Sequence, residues 1–221
     1  MIKFIAVIFD LDGTLIDSIQ DLADSMNTVL ESLGYPIHDT ESYKHMVGDG
    51  VRNLAERALA GIVWDEATIE ICLDKFKAEY NKRWAMKTHP YEGLQDLLNE
   101  LERRQIRMNI LSNKIDHFTK LSVARFFPRN KFVHIMGVVP SLPKKPDPAG
   151  ALLIAHELGI PPQQFIFLGD TNTDMMTAVA AGMFPVGALW GFRSEEELRE
   201  SGASKVIAHP SELLPFFIGS V

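Results

Sequence analysis

Short apolar runs that alternate with helical stretches constrain the fold of this chain more than any other feature. Four of the runs are continuously apolar, which is typical of strands covered on both faces. The alternation predicts an α/β fold with three layers, in which helices flank a parallel sheet. The predicted strands are Phe4–Phe9, Arg107–Leu111, Val133–Ile135, Phe165–Leu168, Phe184–Leu189 and Lys205–Ile207. The predicted helices between them are Glu92–Arg103, Lys114–Phe126, Pro148–Leu158 and Thr173–Ala181.

The segment of residues 18–88 breaks this rhythm. Apolar residues recur every three or four positions from Ile16 to Leu33, which predicts a helix, and no strand-like run follows before residue 89. Further helices are predicted near Thr40–Val47, Val51–Ala60 and Asp65–Trp84. We therefore expect an all-helical cap domain of residues 18–88, inserted into a Rossmann-like core of residues 1–17 and 89–221. Two connections to the core would let such a domain move as a lid, and helices packed rigidly on the sheet are the alternative.

Composition narrows the classes of function. The chain has 29 acidic and 22 basic residues, a net charge of −7 and no basic run, which argues against a nucleic-acid binder. No apolar run approaches the ~20 residues of a membrane span. The single cysteine, Cys72, cannot form an internal disulfide and favours a reducing compartment. We expect a cytoplasmic protein, a monomer or homodimer, that binds neither nucleic acid nor membrane.

Two carboxylates, Asp10 and Asp12, stand at the end of the first predicted strand. Side chains two positions apart in an extended chain point the same way, and open α/β sheets bind ligands at the carboxyl ends of strands. Gly13 permits a tight turn, and its N–H and that of Thr14 could face an anion. Asp-x-Asp alone also fits a polar turn that caps a helix, but the full string, Asp10-Leu11-Asp12-Gly13-Thr14-Leu15-Ile16-Asp17, favours a functional site.

This string resembles the first motif of the haloacid dehalogenase superfamily, in its phosphatase branch. The three other motifs of that family have counterparts in the family's order: Ile110-Leu111-Ser112-Asn113-Lys114, Lys145-Pro146-Asp147-Pro148 and Gly169-Asp170-Thr171-Asn172-Thr173-Asp174. Each of these alone also fits a turn, a loop or a helix cap. The inserted helices resemble the cap of this branch, and Val47-Gly48-Asp49-Gly50-Val51-Arg52 resembles the G-x-G loop of its phosphoglycolate phosphatases.

The resemblance implies a magnesium-dependent phosphomonoester hydrolase. Asp10 would be the nucleophile that forms an aspartyl-phosphate, and Asp12 would protonate the leaving oxygen and then activate water. The ligands of Mg²⁺ would be the Asp10 carboxylate, the main-chain carbonyl of Asp12 and Asp170. Asp174 would orient a bound water or Lys145, which neutralises charge on Asp10 and the phosphoryl group. Magnesium would offset the repulsion between these acids and the phosphate.

Phosphoryl recognition is expected from two places in the sequence. The resemblance implies that Ser112 and Asn113 donate hydrogen bonds to phosphoryl oxygens. The N–H groups of Gly13 and Thr14 are expected to add further donors at the end of the first strand.

The expected substrate is 2-phosphoglycolate or a similarly small phosphorylated metabolite. Backbone N–H groups around Gly48 and Gly50 are expected to recognise its carboxylate, with Arg52 as a further cation. A simple turn between helices and a solvated arginine are the structural alternatives.

Three other functions remain open at this point. A phosphosugar mutase shares the aspartyl-phosphate chemistry, and a pyrophosphate or nucleotide phosphatase belongs to the same superfamily. A non-enzymatic phospho-receiver module also clusters acids, a hydroxyl and a lysine around a phosphorylated aspartate. The helical insertion and the position of Asp12 both oppose the receiver module.

Overall fold

The computed structural model describes residues 3–62 and 64–217. Its strands are β1 (Ala6–Phe9), β2 (Ile16–Asp17), β3 (His89–Pro90), β4 (Arg107–Ile115), β5 (Phe132–Val138), β6 (Phe165–Gly169), β7 (Phe184–Ala188) and β8 (Lys205–Ile207). Its α-helices are α1 (Ile19–Ser32), α2 (Thr40–Met46), α3 (Val51–Ala58), α4 (Glu66–Arg83), α5 (Leu94–Arg103), α6 (Asp116–Phe126), α7 (Ala149–Leu158), α8 (Asn172–Ala180) and α9 (Glu195–Glu200). Short 3₁₀ segments cover Pro162–Gln164 and Pro210–Phe217.

In the described part of the chain, six parallel strands form the central sheet in the order β5-β4-β1-β6-β7-β8. Successive side chains of β1 enter different apolar cores. Val7 and Phe9 pack with α5, and Ala6 and Ile8 pack with α7 and α8. Because both faces of the sheet are covered, the continuous apolar runs are explained and the predicted three-layer α/β fold is confirmed.

All six predicted strands are present, and the largest shift of a single strand end lies in β4. This strand continues to Ile115 instead of ending at Leu111, and α6 therefore begins at Asp116. Ile115 pairs with Val138 of β5 after an irregularity in the register that follows Leu111. Lys114 consequently lies on the strand and not on the first turn of a helix.

Helices α1 to α4, called the cap below, follow β2 and precede β3. They share an apolar core to which Phe118 and Phe192 also contribute. Asp39 and Asp65 begin α2 and α4 as N-caps, accepting hydrogen bonds from the backbone N–H groups of Ser42 (2.8 Å) and Thr68 (2.9 Å). Cys72 is fully buried in this core as a small apolar group.

The chain enters and leaves helices α1 to α4 at one place, because β2 and β3 pair side by side in a separate two-stranded sheet. The pair joins Ile16 with Pro90 and Asp17 with His89 in antiparallel register. The expected boundaries of the cap domain, residues 18 and 88, lie next to this pair of strands. They remain a prediction. Among the described helices, none has both the length and the apolar character that crossing a membrane requires.

Phe165 on β6 should contribute strongly to the free energy of unfolding, because its side chain is fully buried. Phe165→Ala is expected to lower the free energy of unfolding by about 3–5 kcal/mol, since it removes a large core side chain. Met176→Ala, at a position 48% exposed on α8, should change it by about 0.5 kcal/mol or less. Urea unfolding measures both, and equal losses would contradict the assigned core.

Candidate active site

Four stretches far apart in sequence meet at the carboxyl end of the sheet. Asp10 follows β1, Ser112 lies on β4 and Asp170 follows β6, and β1 is the strand between the other two. Lys145 joins them from the segment that precedes α7. All four residues are buried, so the chemistry-bearing groups lie where ligands bind in open α/β sheets.

The ammonium of Lys145 bridges two carboxylates. Its Nζ atom lies 2.9 Å from Asp10 Oδ1 and 2.6 Å from Asp174 Oδ1. Burial alone would lower the pKa of Lys145, but the charges of Asp10 and Asp174 raise it above its ordinary value. Lys145 is therefore a buried permanent cation at neutral pH.

Asp170 completes a cluster of three acids. Asp10, Asp170 and Asp174 each offer an oxygen, and these oxygens all lie within 4.8 Å of one another. Asp170 accepts hydrogen bonds from the Thr14 hydroxyl at 2.8 Å and from the backbone N–H of Phe192 at 2.9 Å. Burial, followed by the charges of Asp174 and Asp10, raises the pKa of Asp170 well above its ordinary value.

The cluster fits a divalent cation. Asp10 Oδ1 is buried and has no partner with hydrogen-bond geometry in the described chain, although Lys145 Nζ lies 2.9 Å away. Burial and the charge of Asp174 raise the pKa of Asp10 to about 7, against the lowering effect of Lys145. Three carboxylates thus face one ammonium, and their oxygens are the donors that hard divalent cations prefer.

Asp12 lies in a separate ion pair. It accepts hydrogen bonds from Ser18 Oγ at 2.6 Å and from Lys114 Nζ, which lies 2.9 and 3.1 Å from its two oxygens. Lys114 Nζ also donates to the hydroxyl oxygen of Tyr80 at 2.6 Å. Burial alone would lower the pKa of Lys114, but Asp12 and Tyr80 raise it above its ordinary value. No pattern in the sequence indicates a role for Lys114 or Tyr80.

The donors expected at Gly13 and Thr14 are used inside the turn. The N–H of Gly13 donates to the carbonyl of Ile16 at 2.9 Å, and that of Thr14 donates to Leu11 at 3.3 Å. The expectation that they face an anion is therefore not met. Gly13 is required for another reason: its φ is +84°, and a Cβ there would lie 2.1 Å from a carboxylate oxygen of Asp170.

The side chain of Asn113 holds neighbouring backbone instead of pointing freely at a ligand. Its Nδ2 donates to the carbonyls of Lys145 at 2.9 Å and Gly48 at 3.0 Å, and its Oδ1 accepts from the Lys145 N–H at 2.9 Å. Asn113 thus positions Lys145 and ties the cap to the core. The neighbouring Ser112 hydroxyl lines the cavity and has one long contact, at 3.3 Å, from the N–H of Lys114.

Gly48 and Gly50 line the cavity, but Arg52 is not among its described lining residues. Arg52 is absent from the described lining because its guanidinium points to an acidic cluster on the surface of the cap. Its ion-pair partners, at 3.0, 2.6 and 3.0 Å, are Glu56, Glu66 and Glu70.

The cap loop that contains Gly48 and Gly50 is clamped to the core. Asp49 accepts a hydrogen bond from the hydroxyl of Thr173, beside the acid cluster. Arg193 donates to the carbonyl of Val47 at 2.8 Å and to that of Lys44. Asp49 is part of the loop motif in the sequence, but nothing in the sequence predicts its hydrogen bond with Thr173.

A cavity of about 60 Å³ lies between the cap and the carboxyl end of the sheet. Its polar lining comes mainly from the core, with Tyr80 from the cap: Asp10, Asp12, Ser112, Asn113, Lys114 and Tyr80. Most of its apolar lining comes from the cap: Leu22, Val47, Val51, Leu54 and Phe76, with Ile115 and Phe118 from the core. The arrangement can hold a small ligand with an anionic end against the buried charges.

Comparisons with known proteins match the chain over most of its length. The profile of the haloacid dehalogenase-like hydrolases matches residues 7–188. The chain is 36% identical over 213 residues to a phosphoglycolate phosphatase of Pseudomonas putida, covering 95% of this chain and 78% of the relative. It is 31% identical over 219 residues to a phosphoglycolate phosphatase of Psychrobacter arcticus, covering 96% and 95%. A crystal structure of a predicted phosphoglycolate phosphatase from Haemophilus somnus matches with a TM-score of 0.88 at 25% identity, covering 96% and 97%.

Asn113 should contribute to the stability of the protein. Asn113→Ala is expected to lower the free energy of unfolding by about 2–3 kcal/mol, since it leaves buried backbone groups of Lys145 unpaired. Ser112→Ala, at the adjacent position, removes a single long contact and should change it by under about 1 kcal/mol. Urea unfolding compares the two variants, and equal losses would contradict the positioning role of Asn113.

Proposed function

Because this chain belongs to the haloacid dehalogenase-like hydrolase family, we propose that it is a magnesium-dependent phosphomonoesterase acting on 2-phosphoglycolate or a similarly small phosphorylated acid. The observation that carries the proposal is the contact of Lys145 with both Asp10 and Asp174, beside Asp170. This arrangement supplies a carboxylate nucleophile and positive charge in one buried place. The names of the relatives support the choice of substrate.

In the first step, a carboxylate oxygen of Asp10 attacks phosphorus and the bond from phosphorus to the ester oxygen breaks. The departing oxygen takes a proton from the protonated form of Asp12, which lines the same cavity and becomes a carboxylate. Lys145 stabilises the negative charge on the phosphoryl oxygens, and the Ser112 hydroxyl donates a hydrogen bond to one of them. The products of this step are the alcohol and an aspartyl-phosphate on Asp10.

In the second step, water attacks the phosphorus of the aspartyl-phosphate. Asp12 takes the proton from that water, and the bond between phosphorus and the Asp10 oxygen breaks. Inorganic phosphate leaves and both carboxyl groups return to their starting forms. Asn113 contributes by holding the backbone of Lys145, which keeps the ammonium in place through both steps.

Magnesium would be held by the carboxylates of Asp10 and Asp170 and by the main-chain carbonyl of Asp12. When bound, it supplies positive charge that favours the ionised form of Asp10 and offsets its repulsion from the phosphate. Asp174 accepts hydrogen bonds from Lys145 at 2.6 Å and from the Thr171 hydroxyl at 2.6 Å, so its role is to orient the lysine.

A phosphate-release assay tests the proposed function. With Mg²⁺, we expect multiple turnovers and the highest kcat/KM for 2-phosphoglycolate among a panel of sugar phosphates, nucleotides and pyrophosphate. A chelator should abolish release, and Asp10→Asn should lower kcat about a thousandfold or more while the protein stays folded by circular dichroism.

Other outcomes of that assay would contradict the proposal. Phosphate retained on a sugar would indicate a mutase, and one stable phosphoryl group per chain would indicate a receiver module. Unchanged turnover by Asp10→Asn would exclude Asp10 as the nucleophile.

Asp12 should matter most for poor leaving groups, because these need a proton as they depart. Asp12→Ala is expected to lower kcat about 10²- to 10⁴-fold with an alkyl ester such as 2-phosphoglycolate. With p-nitrophenyl phosphate, whose leaving group needs no proton, the first step should slow far less. Pre-steady-state release of alcohol measures this step directly, and equal losses with both esters would rule out the general-acid role.

A further inference from the structure

A second buried cation, Lys114, lines the cavity beside Asp12. Its side chain is 5% exposed, and its ammonium contacts both oxygens of Asp12 and the hydroxyl oxygen of Tyr80. Among the described residues that line this cavity, Lys114 is the only cationic side chain. Lys114 has no part in the two proposed chemical steps.

Tyr80 adds a hydroxyl donor next to this ammonium. It is 2% exposed, and burial raises its pKa to about 12, so the hydroxyl keeps its proton at neutral pH. Its oxygen accepts a hydrogen bond from Lys114, and within residues 3–62 and 64–217 we find no acceptor for its own proton. A buried hydroxyl normally uses its donor, and this one belongs to a residue of the cavity wall.

We propose that Lys114 and Tyr80 bind the carboxylate of the substrate's leaving group. The inference rests on the proposed phosphatase function and names the feature that the site selects. A carboxylate accepts hydrogen bonds from two donors and pairs with an ammonium, which matches an N–H and an O–H side by side. The surrounding side chains of Leu54, Phe76 and Phe118 are apolar and offer nothing to the several hydroxyls of a sugar.

The position of Lys114 also selects the length of the leaving group. Lys114 contacts Asp12, which lies next to the ester oxygen in the proposed mechanism. A carboxylate held by Lys114 is therefore close to that oxygen, and 2-phosphoglycolate has a single methylene group between the two. Tyr80 comes from α4 of the cap, so the carboxylate would contact cap and core together.

Two substrates that differ only in charge test the inference. 2-Phosphoglycolate carries the carboxylate, and 2-phosphoglycolamide has an uncharged amide of the same shape. We expect the wild-type protein to prefer the acid about 10- to 100-fold in kcat/KM. Lys114→Met should reduce this preference to about one, mainly through KM, and Tyr80→Phe should reduce it about two- to tenfold. Lys120→Met, at an exposed lysine of α6, is the control and should leave the preference unchanged.

Calorimetric binding of glycolate separates the inference from the proposed function. Weaker binding to Lys114→Met than to wild type would support the carboxylate site even without turnover of either ester. Equal kcat/KM of the wild-type protein for both esters would overturn the inference but leave a phosphatase. The inference would also be overturned if Lys114→Met kept the preference for the acid, including the case in which its kcat/KM fell by the same factor for both esters. Release of phosphate from no ester at all would instead refute the proposed function.

Discussion

The buried ammonium of Lys145 is the interaction on which the rest of the site depends. Three carboxylates at the end of the sheet repel one another, and burial strengthens that repulsion because water does not screen it. Lys145 contacts Asp10 and Asp174 directly and offsets part of their charge. Removing one member of such a buried group leaves the others unpaired, which is strongly destabilising. The same charges that hold the site together therefore also define its chemistry.

Much of the surrounding structure serves to place this lysine. Asn113 holds both backbone groups of Lys145, and Thr171 fixes the carboxylate of Asp174 through a capping box at the start of α8. The sheet supplies the rigidity, since β1 is paired on both sides. The cap is joined to this frame where Asp49 and Arg193 bind across the interface. A lid motion would have to break those hydrogen bonds.

The fold and the core of the site could be predicted from the sequence, whereas the contacts between cap and core could not. Apolar runs and the residues that follow them are local features, so the strands and the acids at their ends follow directly. The position of the Arg52 side chain could not be predicted, because nothing in the local sequence indicates that three glutamates of the cap surround it. The place of Tyr80 in the cavity wall could not be predicted either. Tyr80 continues an apolar stripe of the helix with Cys72 and Phe76, so its position is that of an ordinary core residue.

Hydrogen-bond partners were the other unpredictable element. Gly13 and Thr14 are where the motif requires them, but their donors close the turn instead of facing a ligand. Asn113 also lies at the expected place, and only the structure shows that its amide is bound to the backbone of Lys145. A motif identifies which residues meet, and tertiary structure decides which of their atoms remain available to a substrate.

In the proposed reaction, Asp10 carries the phosphoryl group during turnover. Acid quenching of the protein during hydrolysis of a phosphomonoester labelled in its phosphoryl group, followed by peptide mapping, tests it directly. We expect transient, alkali-labile label on the peptide that contains Asp10, appearing before free phosphate. Label on another residue, or steady turnover with no label on the protein, would contradict it.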